Sequence, residues 1–263
     1  MLIDTHAHLD DERFAEDFEQ VCKRIQDANI KKVINVGYDI KSSERSLKLA
    51  EKYNWIQCAV GYHPHNAKDA DEDGLQKLRQ WASRPEVVAI GEIGLDYYYD
   101  NSPRDLQREV FRRQISLAKE VQLPIIIHCR DAVQELYDIL VEEGAEQVGG
   151  IMHCYSGSYE MAKRFIDLKF FISLAGPVTF KNSKSVKDVA RNIPLKYLLL
   201  ETDSPYLTPE PYRGKRNEPA YVRYVAQTIA QLREIDISDL AKATSDNTLK
   251  ALPKLYLSES RQF

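Results

Sequence analysis

Eight short apolar runs recur along this chain, and a longer amphipathic segment separates each run from the next. The runs cover residues 2–3, 33–36, 56–60, 87–90, 125–127, 150–152, 170–174 and 197–200. Several are rich in β-branched residues and lack polar alternation, which is typical of strands buried on both faces. Between two of them, Leu106, Val110, Leu117 and Val121 have the spacing of one helix face. Eight strand–helix units in 263 residues predict an α/β fold, a (β/α)8 TIM barrel.

An open doubly wound sheet is the alternative fold for this pattern. The Gly-x-Gly-x-x-Gly turn of dinucleotide-binding sheets follows none of the apolar runs, which counts against that alternative. No linker, repeat or change of composition divides the chain, so we expect one domain over residues 1–263. Two helices are expected near the end, over about 220–233 and about 238–252.

The composition, with 43% hydrophobic and 29% charged residues, is that of an ordinary globular protein. A net charge of −4 argues against a protein that coats nucleic acid or membranes through its overall field, although a local basic groove remains compatible with it. No signal peptide and no apolar run of membrane length is apparent, and the four cysteines lack Cys-x-x-Cys spacing. We therefore expect a cytoplasmic monomer with free thiols and no membrane partner.

Polar residues gather at the C-terminal ends of the predicted strands, where barrels of this kind carry their chemistry. Alone, each has an ordinary interpretation: a hydrogen-bonded structural histidine, or a carboxylate that caps a helix or forms a salt bridge. Together, four imidazoles and two carboxylates at one rim predict a two-metal hydrolytic site. These candidate metal ligands are His6, His8, Glu92, His128, His153 and Asp203.

Sequence blocks around these residues resemble the signature blocks of the TatD family of metal-dependent hydrolases. The blocks are DTHAH at 4–8, GEIGLDY at 91–97, IHCR at 127–130, MHCYSG at 152–157, ETDSPYL at 201–207 and YRGKRNEP at 212–219. They follow the family's order, and the similarity extends from residue 1 to about 250. The resemblance implies a TIM barrel of the amidohydrolase-like superfamily, with two adjacent divalent ions and DNase or related phosphodiesterase activity.

The resemblance also implies roles for the site residues. One ion would be held by His6, His8 and Glu92, and the other by Glu92, His128 and His153, so that Glu92 bridges the pair. Asp203 would bind a metal and accept a proton from the attacking water. Ions in two-metal sites lie about 3.5–4 Å apart, a gap that a carboxylate can span and a single imidazole nitrogen cannot. The two divalent ions would be Mg²⁺, Mn²⁺ or Zn²⁺.

Residues near this cluster are candidates for contact with substrate. His63 lies outside the ligand set and could protonate a leaving oxygen, or it could simply belong to a turn shaped by Pro64. Arg130, Arg213 and Arg216 are candidate phosphate contacts, because a guanidinium group suits bidentate binding. The alternative for each arginine is a solvated, salt-bridged loop.

Two further groups of residues adjoin the signature blocks. The three tyrosines at 97–99 could stack nucleobases, although packing at the rim explains them almost as well. Cys129 and Cys154 each follow a candidate ligand. Because neighbouring residues on a strand point to opposite faces, both cysteines are expected to pack outside the barrel lumen.

The leading functional hypothesis is hydrolysis of phosphodiester bonds in DNA or a related substrate. The resemblance implies a TatD-like deoxyribonuclease that acts as a 3′-5′ exonuclease on single-stranded DNA, with RNA as a second candidate substrate. One alternative is a metal-dependent ester or amide hydrolase, such as a D-aminoacyl-tRNA deacylase, since the same ions can polarise a carbonyl. Another is a catalytically idle metal-binding or nucleic-acid-binding protein. The basic segment at 213–216 favours a phosphate substrate.

Overall fold

Eight parallel strands form the centre of the molecule in the computed structural model, which describes residues 1–255. They pair in chain order, and a bridge between Ala7 and Ser204 joins the last strand region to the first. The strands are β1 (Leu2–Ala7), β2 (Ile30–Val36), β3 (Ile56–Val60), β4 (Val87–Asp96), β5 (Ile125–Arg130), β6 (Gly150–Met152), β7 (Phe170–Leu174) and β8 (Leu198–Leu200). The predicted TIM barrel is confirmed, and the open doubly wound sheet is wrong.

A helix follows each strand, and one further helix closes the described part of the chain. The helices are α1 (Phe18–Asp27), α2 (Ile40–Lys52), α3 (Glu72–Ala82), α4 (Arg104–Val121), α5 (Val133–Glu142), α6 (Tyr159–Asp167), α7 (Lys184–Asn192), α8 (Val222–Arg233) and α9 (Ile237–Ala251). Side-chain caps begin several of them: Asp39 and Ser42 form a capping box at α2, and Ser158 caps α6. In the described part of the chain, none of these helices has the length and apolar composition needed to cross a membrane.

The hydrophobic core has two parts. A large outer cluster packs the strands against the surrounding helices. A smaller inner cluster joins inward-facing strand residues, among them Ile34, Ile126 and Leu199, to Leu252 and Leu255 after α9. Apolar side chains therefore fill the lower barrel, and α9 closes its base. The histidines and carboxylates of the candidate site lie at the opposite rim, where the strands end.

The pairing of β4 with β5 depends on a glycine. Gly94 has a φ of +143°, and a Cβ atom there would lie 1.9 Å from the carbonyl oxygen of His128. Only a residue without a side chain permits this approach. The close contact holds two strands in register that each carry a candidate metal ligand, Glu92 on β4 and His128 on β5.

Candidate metal centre

The first half of the site comes from β1, β4 and the loop after β8. The Nε2 atoms of His6 and His8 lie 3.3 Å apart. Oδ1 of Asp203 lies 3.9 Å from Nε2 of His6 and 3.6 Å from that of His8. On the other side, Oε2 of Glu92 lies 3.3 Å from Nε2 of His6. Two imidazoles and two carboxylates thus surround one point.

The second half of the site surrounds the other carboxylate oxygen of Glu92. Its Oε1 is 3.0 Å from Nδ1 of His128, 3.5 Å from Nε2 of His153 and 3.6 Å from Nε2 of His63. The two halves adjoin, because the rings of His6 and His153 stack with their centroids 3.6 Å apart. All six predicted ligands therefore meet in one place, and the two oxygens of Glu92 face different sets of histidines.

These spacings suit divalent ions. Two ligands each about 2.1 Å from an ion in tetrahedral geometry lie about 3.4 Å apart, close to the 3.3 Å between the ring nitrogens of His6 and His8. The residues also form groups whose potential ligand atoms lie within 4.8 Å of one another, including His6, His8 and Asp203. The donor atoms are imidazole nitrogens and carboxylate oxygens, which Zn²⁺ and Mn²⁺ accept, whereas Mg²⁺ favours the oxygens.

Polar contacts behind the site orient three of its histidines. The Nδ1–H of His8 donates to the carbonyl oxygen of Val36 at 2.8 Å, so Nε2 faces the site. Nε2 of His128 lies 2.9 Å from Oδ2 of Asp96, and Nδ1 of His153 lies 2.8 Å from Oε1 of Glu201. Such outer carboxylates orient ligating histidines in metal sites. These three imidazoles therefore turn their other ring nitrogen towards a centre that holds carboxylate oxygens.

Asp96 and Glu201 were not predicted to belong to the site, although both stand in the signature blocks. A signal for Asp96 was available: it is four residues after Glu92 on β4, and positions an even number apart on a strand share a face. Glu201 is two residues before Asp203, but both lie beyond the end of β8, so strand periodicity does not predict its contact with His153.

The electrostatics of the site favour bound cations. Burial opposes ionisation of Glu92, yet the surrounding imidazoles, foremost those of His153 and His63, hold its pKa well below the usual range. Burial likewise opposes protonation of His8, but Asp203 and Glu92 outweigh it and raise the pKa of His8 to about 9. Glu201 and Glu92 act in the same way on His153, whose pKa rises to about 10. Divalent ions would displace these protons, because ligating imidazoles must be neutral.

His63 is buried, and its side chain lies beside Oε1 of Glu92. Its Nδ1 accepts a hydrogen bond from the backbone N–H of His65 at 3.1 Å. The neutral ring therefore carries its proton on Nε2, the nitrogen that points towards Glu92. Burial keeps the pKa of His63 well below its usual value, so the ring is neutral at pH 7. With its proton on Nε2, His63 is placed to donate a hydrogen bond to a ligand at the centre. Its ring also lies in a close group with Glu92 and His128, but metal binding through Nε2 would require that proton to leave.

The three candidate arginines differ in their surroundings. Arg216 makes two 2.7 Å contacts with the carboxylate of Asp17, so an internal ion pair engages it. Arg130 and Arg213 are exposed, and no carboxylate within residues 1–255 forms a salt bridge with either one. Their guanidinium groups lie over aromatic rings, that of Arg130 4.0 Å from the ring centre of Tyr98. Arg130 and Arg213 thus keep donors available to a ligand.

Cys129 and Cys154 have different surroundings in the structure. Cys129 packs against the outer core cluster, as predicted. The same prediction for Cys154 is wrong, since its Sγ lies within 4.8 Å of ligand atoms of His153 and Asp203. The physical reason is that β6 ends at Met152, so strand alternation no longer applies, and Cys154 has a φ of +43°. Burial raises the pKa of the Cys154 thiol well above its usual value, which argues against a nucleophilic role.

Comparisons with known proteins show which family the chain matches. The family described as TatD related DNase matches residues 3–253. The metal-dependent hydrolase YabD of Bacillus subtilis is 50% identical over 247 residues, which cover 94% of this chain and 97% of that protein. YcfH of Escherichia coli, also named a metal-dependent hydrolase, is 38% identical over 249 residues, 94% of this chain and 93% of its own length.

A solved structure has the same fold as this chain. The TatD homologue YjjV of Escherichia coli K12 superimposes with a TM-score of 0.90 at 32% identity, over 96% of this chain and 98% of that one. The match therefore includes the strands that carry the site and the loops between them. The chain belongs to the TatD family of metal-dependent hydrolases.

Proposed function

We propose that this protein is a metal-dependent phosphodiesterase that degrades single-stranded DNA from its 3′ end. The observation that carries the proposal is the division of Glu92, whose Oε2 faces His6 while its Oε1 faces His128 and His153. A carboxylate that presents one oxygen to each of two ligand sets suits a two-ion centre, which is common among phosphodiester-cleaving enzymes. The name of the matching family, TatD related DNase, supports the same substrate class.

In this proposal His6, His8, Glu92 and Asp203 would hold one ion, and Glu92, His128 and His153 would hold the other. Divalent ions there would supply Lewis-acid activation of water and would neutralise charge on the phosphate.

Side chains at the edge of the centre act on protons and on the substrate. Asp203 accepts the proton of the attacking water, because its carboxylate lies at the centre and stays ionised beside His8. His63 donates a hydrogen bond from its Nε2–H to the leaving oxygen and stabilises the negative charge that develops there. Arg130 and Arg213 bind phosphates of the strand, whereas Arg216 positions the loop after β8 through Asp17.

A substrate panel tests this function. Wild type and Asp203→Asn are assayed with Mg²⁺, Mn²⁺ and Zn²⁺ separately, and with EDTA, on single-stranded DNA, RNA, D-aminoacyl-tRNA, simple esters and amides. We expect 5′-labelled DNA to shorten stepwise from its 3′ end, with no shortening in EDTA. Turnover of the aminoacyl ester or amides without cleavage of nucleic acid would replace the proposal by an acyl hydrolase.

A further inference from the structure

Exposed tyrosines mark the rim of the barrel. Within residues 1–255 three tyrosines are exposed, Tyr98 at 59%, Tyr99 at 54% and Tyr206 at 48%. All three lie in loops at the C-terminal ends of strands, the same end as the metal centre. Exposed aromatic faces that gather at the end of a protein that carries its candidate site mark a candidate ligand-binding surface.

The first exposed surface, which we call the Tyr98 platform, consists of Tyr98, Tyr99 and Arg130. The guanidinium carbon of Arg130 lies 4.0 Å from the ring centre of Tyr98 and 4.8 Å from that of Tyr99. The backbone N–H groups of both tyrosines donate to Oδ1 of Asp96, the carboxylate whose Oδ2 contacts His128. The platform is thus held by the residue that orients a metal ligand.

The second surface, the Tyr206 platform, consists of Tyr206 and Arg13. The guanidinium carbon of Arg13 lies 4.3 Å from the ring centre of Tyr206, and Asp11 holds the arginine through two hydrogen bonds of 2.8 and 2.7 Å. The ring of Tyr206 lies 6.2 Å from that of His8, and its backbone N–H donates to the carbonyl oxygen of Asp203. This platform also adjoins candidate ligands.

The two platforms lie on opposite sides of the metal centre. Tyr98 and Arg130 follow β4 and β5, whereas Arg13 and Tyr206 follow β1 and β8, and these strand pairs face each other across an eight-strand barrel paired in chain order. A chain with a phosphate at the centre would place its neighbouring groups over both platforms. An aromatic face beside a guanidinium group is the usual surface for an unpaired nucleobase.

We propose that the Tyr98 and Tyr206 platforms each stack one nucleobase, so that the bases on either side of the scissile phosphate make the enzyme specific for unpaired strands. This inference rests on the proposed phosphodiesterase activity and assigns its specificity to named residues. A base inside a duplex has both faces covered by its neighbours and must leave the stack to reach a platform. Single strands have no such cost beyond their own weaker stacking.

Kinetics on matched substrates test the inference. An oligothymidylate is compared with a chain of equal length that has one abasic sugar on each side of the scissile phosphate, using metal-loaded enzyme. We expect Tyr98→Leu and Tyr206→Leu each to lower the ratio of kcat/KM between the two substrates by roughly five- to a hundredfold. Tyr98→Trp and Tyr206→Trp should have nearly the wild-type ratio, because tryptophan keeps an aromatic face.

Tyr197→Leu serves as the matched control, because Tyr197 lies just before β8 at the opposite end of the barrel. It should leave the ratio unchanged. If the ratio of kcat/KM is unchanged in both Tyr98→Leu and Tyr206→Leu while wild type cleaves normally, the stacking role of the platforms is wrong and the proposed function stands.

Equilibrium binding of a fluorescent oligothymidylate in EDTA separates the two ideas. Tighter binding by wild type than by the leucine variants, with no cleavage under any metal, would support the platforms and contradict the phosphodiesterase.

Discussion

At the scale of single residues, Glu92 is the centre of the site, because its two oxygens face different histidines. Imidazole rings fixed from behind by Val36, Asp96 and Glu201 surround it. In such an arrangement each side chain has a separable task, so substitutions should separate loss of metal from loss of chemistry.

Glu92→Ala should loosen both ions and abolish activity, because in the proposed centre one carboxylate would contact both cations. Elemental analysis of the purified variant measures the metal content directly. Glu120→Ala is the control, because Glu120 forms an exposed ion pair with Arg79 on the helical surface and should retain both ions. Metal content equal to wild type in Glu92→Ala would show that Glu92 is not a ligand.

Asp203→Asn should reduce kcat more than it reduces metal content. The amide keeps the shape and one oxygen for an ion but has no basic site at neutral pH. General-base catalysis is typically worth about 10²–10⁴-fold, and a loss of kcat in that range is expected. Metal content must be measured in the same sample. Retention of both ions with near-normal kcat would show that Asp203 is not the proton acceptor.

His63→Ala should keep both ions and lower kcat for oligonucleotides by roughly 10²-fold, because it removes the Nε2–H that hydrogen-bonds the leaving oxygen. A p-nitrophenolate leaving group spreads its charge over the ring and needs less of this stabilisation, so the variant should cleave a p-nitrophenyl phosphodiester at nearly the wild-type rate. Equal losses on both substrates would contradict this role, and a loss of bound metal would make His63 a ligand.

At the scale of elements, the close pairing of β4 with β5 decides whether Glu92 and His128 meet. Gly94→Ala would drive a methyl group into the carbonyl oxygen of His128. We expect a loss of more than about 2 kcal/mol in the free energy of unfolding, measured in urea, together with weaker metal binding. Gly214→Ala is the matched control: its φ is also positive, at +86°, but nothing lies within 4 Å of the added atom.

Gly214→Ala should therefore cost only about 1 kcal/mol, the backbone penalty alone. Similar losses in the two variants would show that backbone conformation, and not the contact with His128, makes glycine necessary at position 94.

At the scale of the whole molecule, the candidate ligands come from β1, β4, β5 and the loops after β6 and β8, so bound ions connect strands around the barrel. Metal binding should therefore stabilise the entire fold. At an ion concentration a hundred times the Kd, the gain is about 2.7 kcal/mol, or about 5–10 °C in Tm. Thermal unfolding in Mn²⁺ and in EDTA measures this gain in Tm. For Glu92→Ala, the Tm should differ little between the two conditions. A wild-type Tm that is the same in Mn²⁺ and in EDTA would contradict the two-ion centre.

Much of this protein is determined by local sequence. The eight apolar runs and the helical spacing between them predict a barrel, because strand and helix periodicity depend on neighbouring residues. The same alternation places histidines and carboxylates at one rim. The helices predicted near 220–233 and 238–252 lie at Val222–Arg233 and Ile237–Ala251. Strand ends offered these six candidate ligands among other polar residues, and the resemblance to the TatD family selected them.

Only the tertiary structure decided which atoms meet. The division of Glu92 between two ligand sets depends on the register of β4 with its neighbours and on the rotation of one side chain. The pairing of Arg216 with Asp17 joins residues 199 positions apart through loops that follow no period. Cys154 enters the site because β6 stops two residues earlier. Such contacts depend on the conformations of the loops at the rim of the barrel. The periodic pattern of neighbouring residues does not predict those conformations.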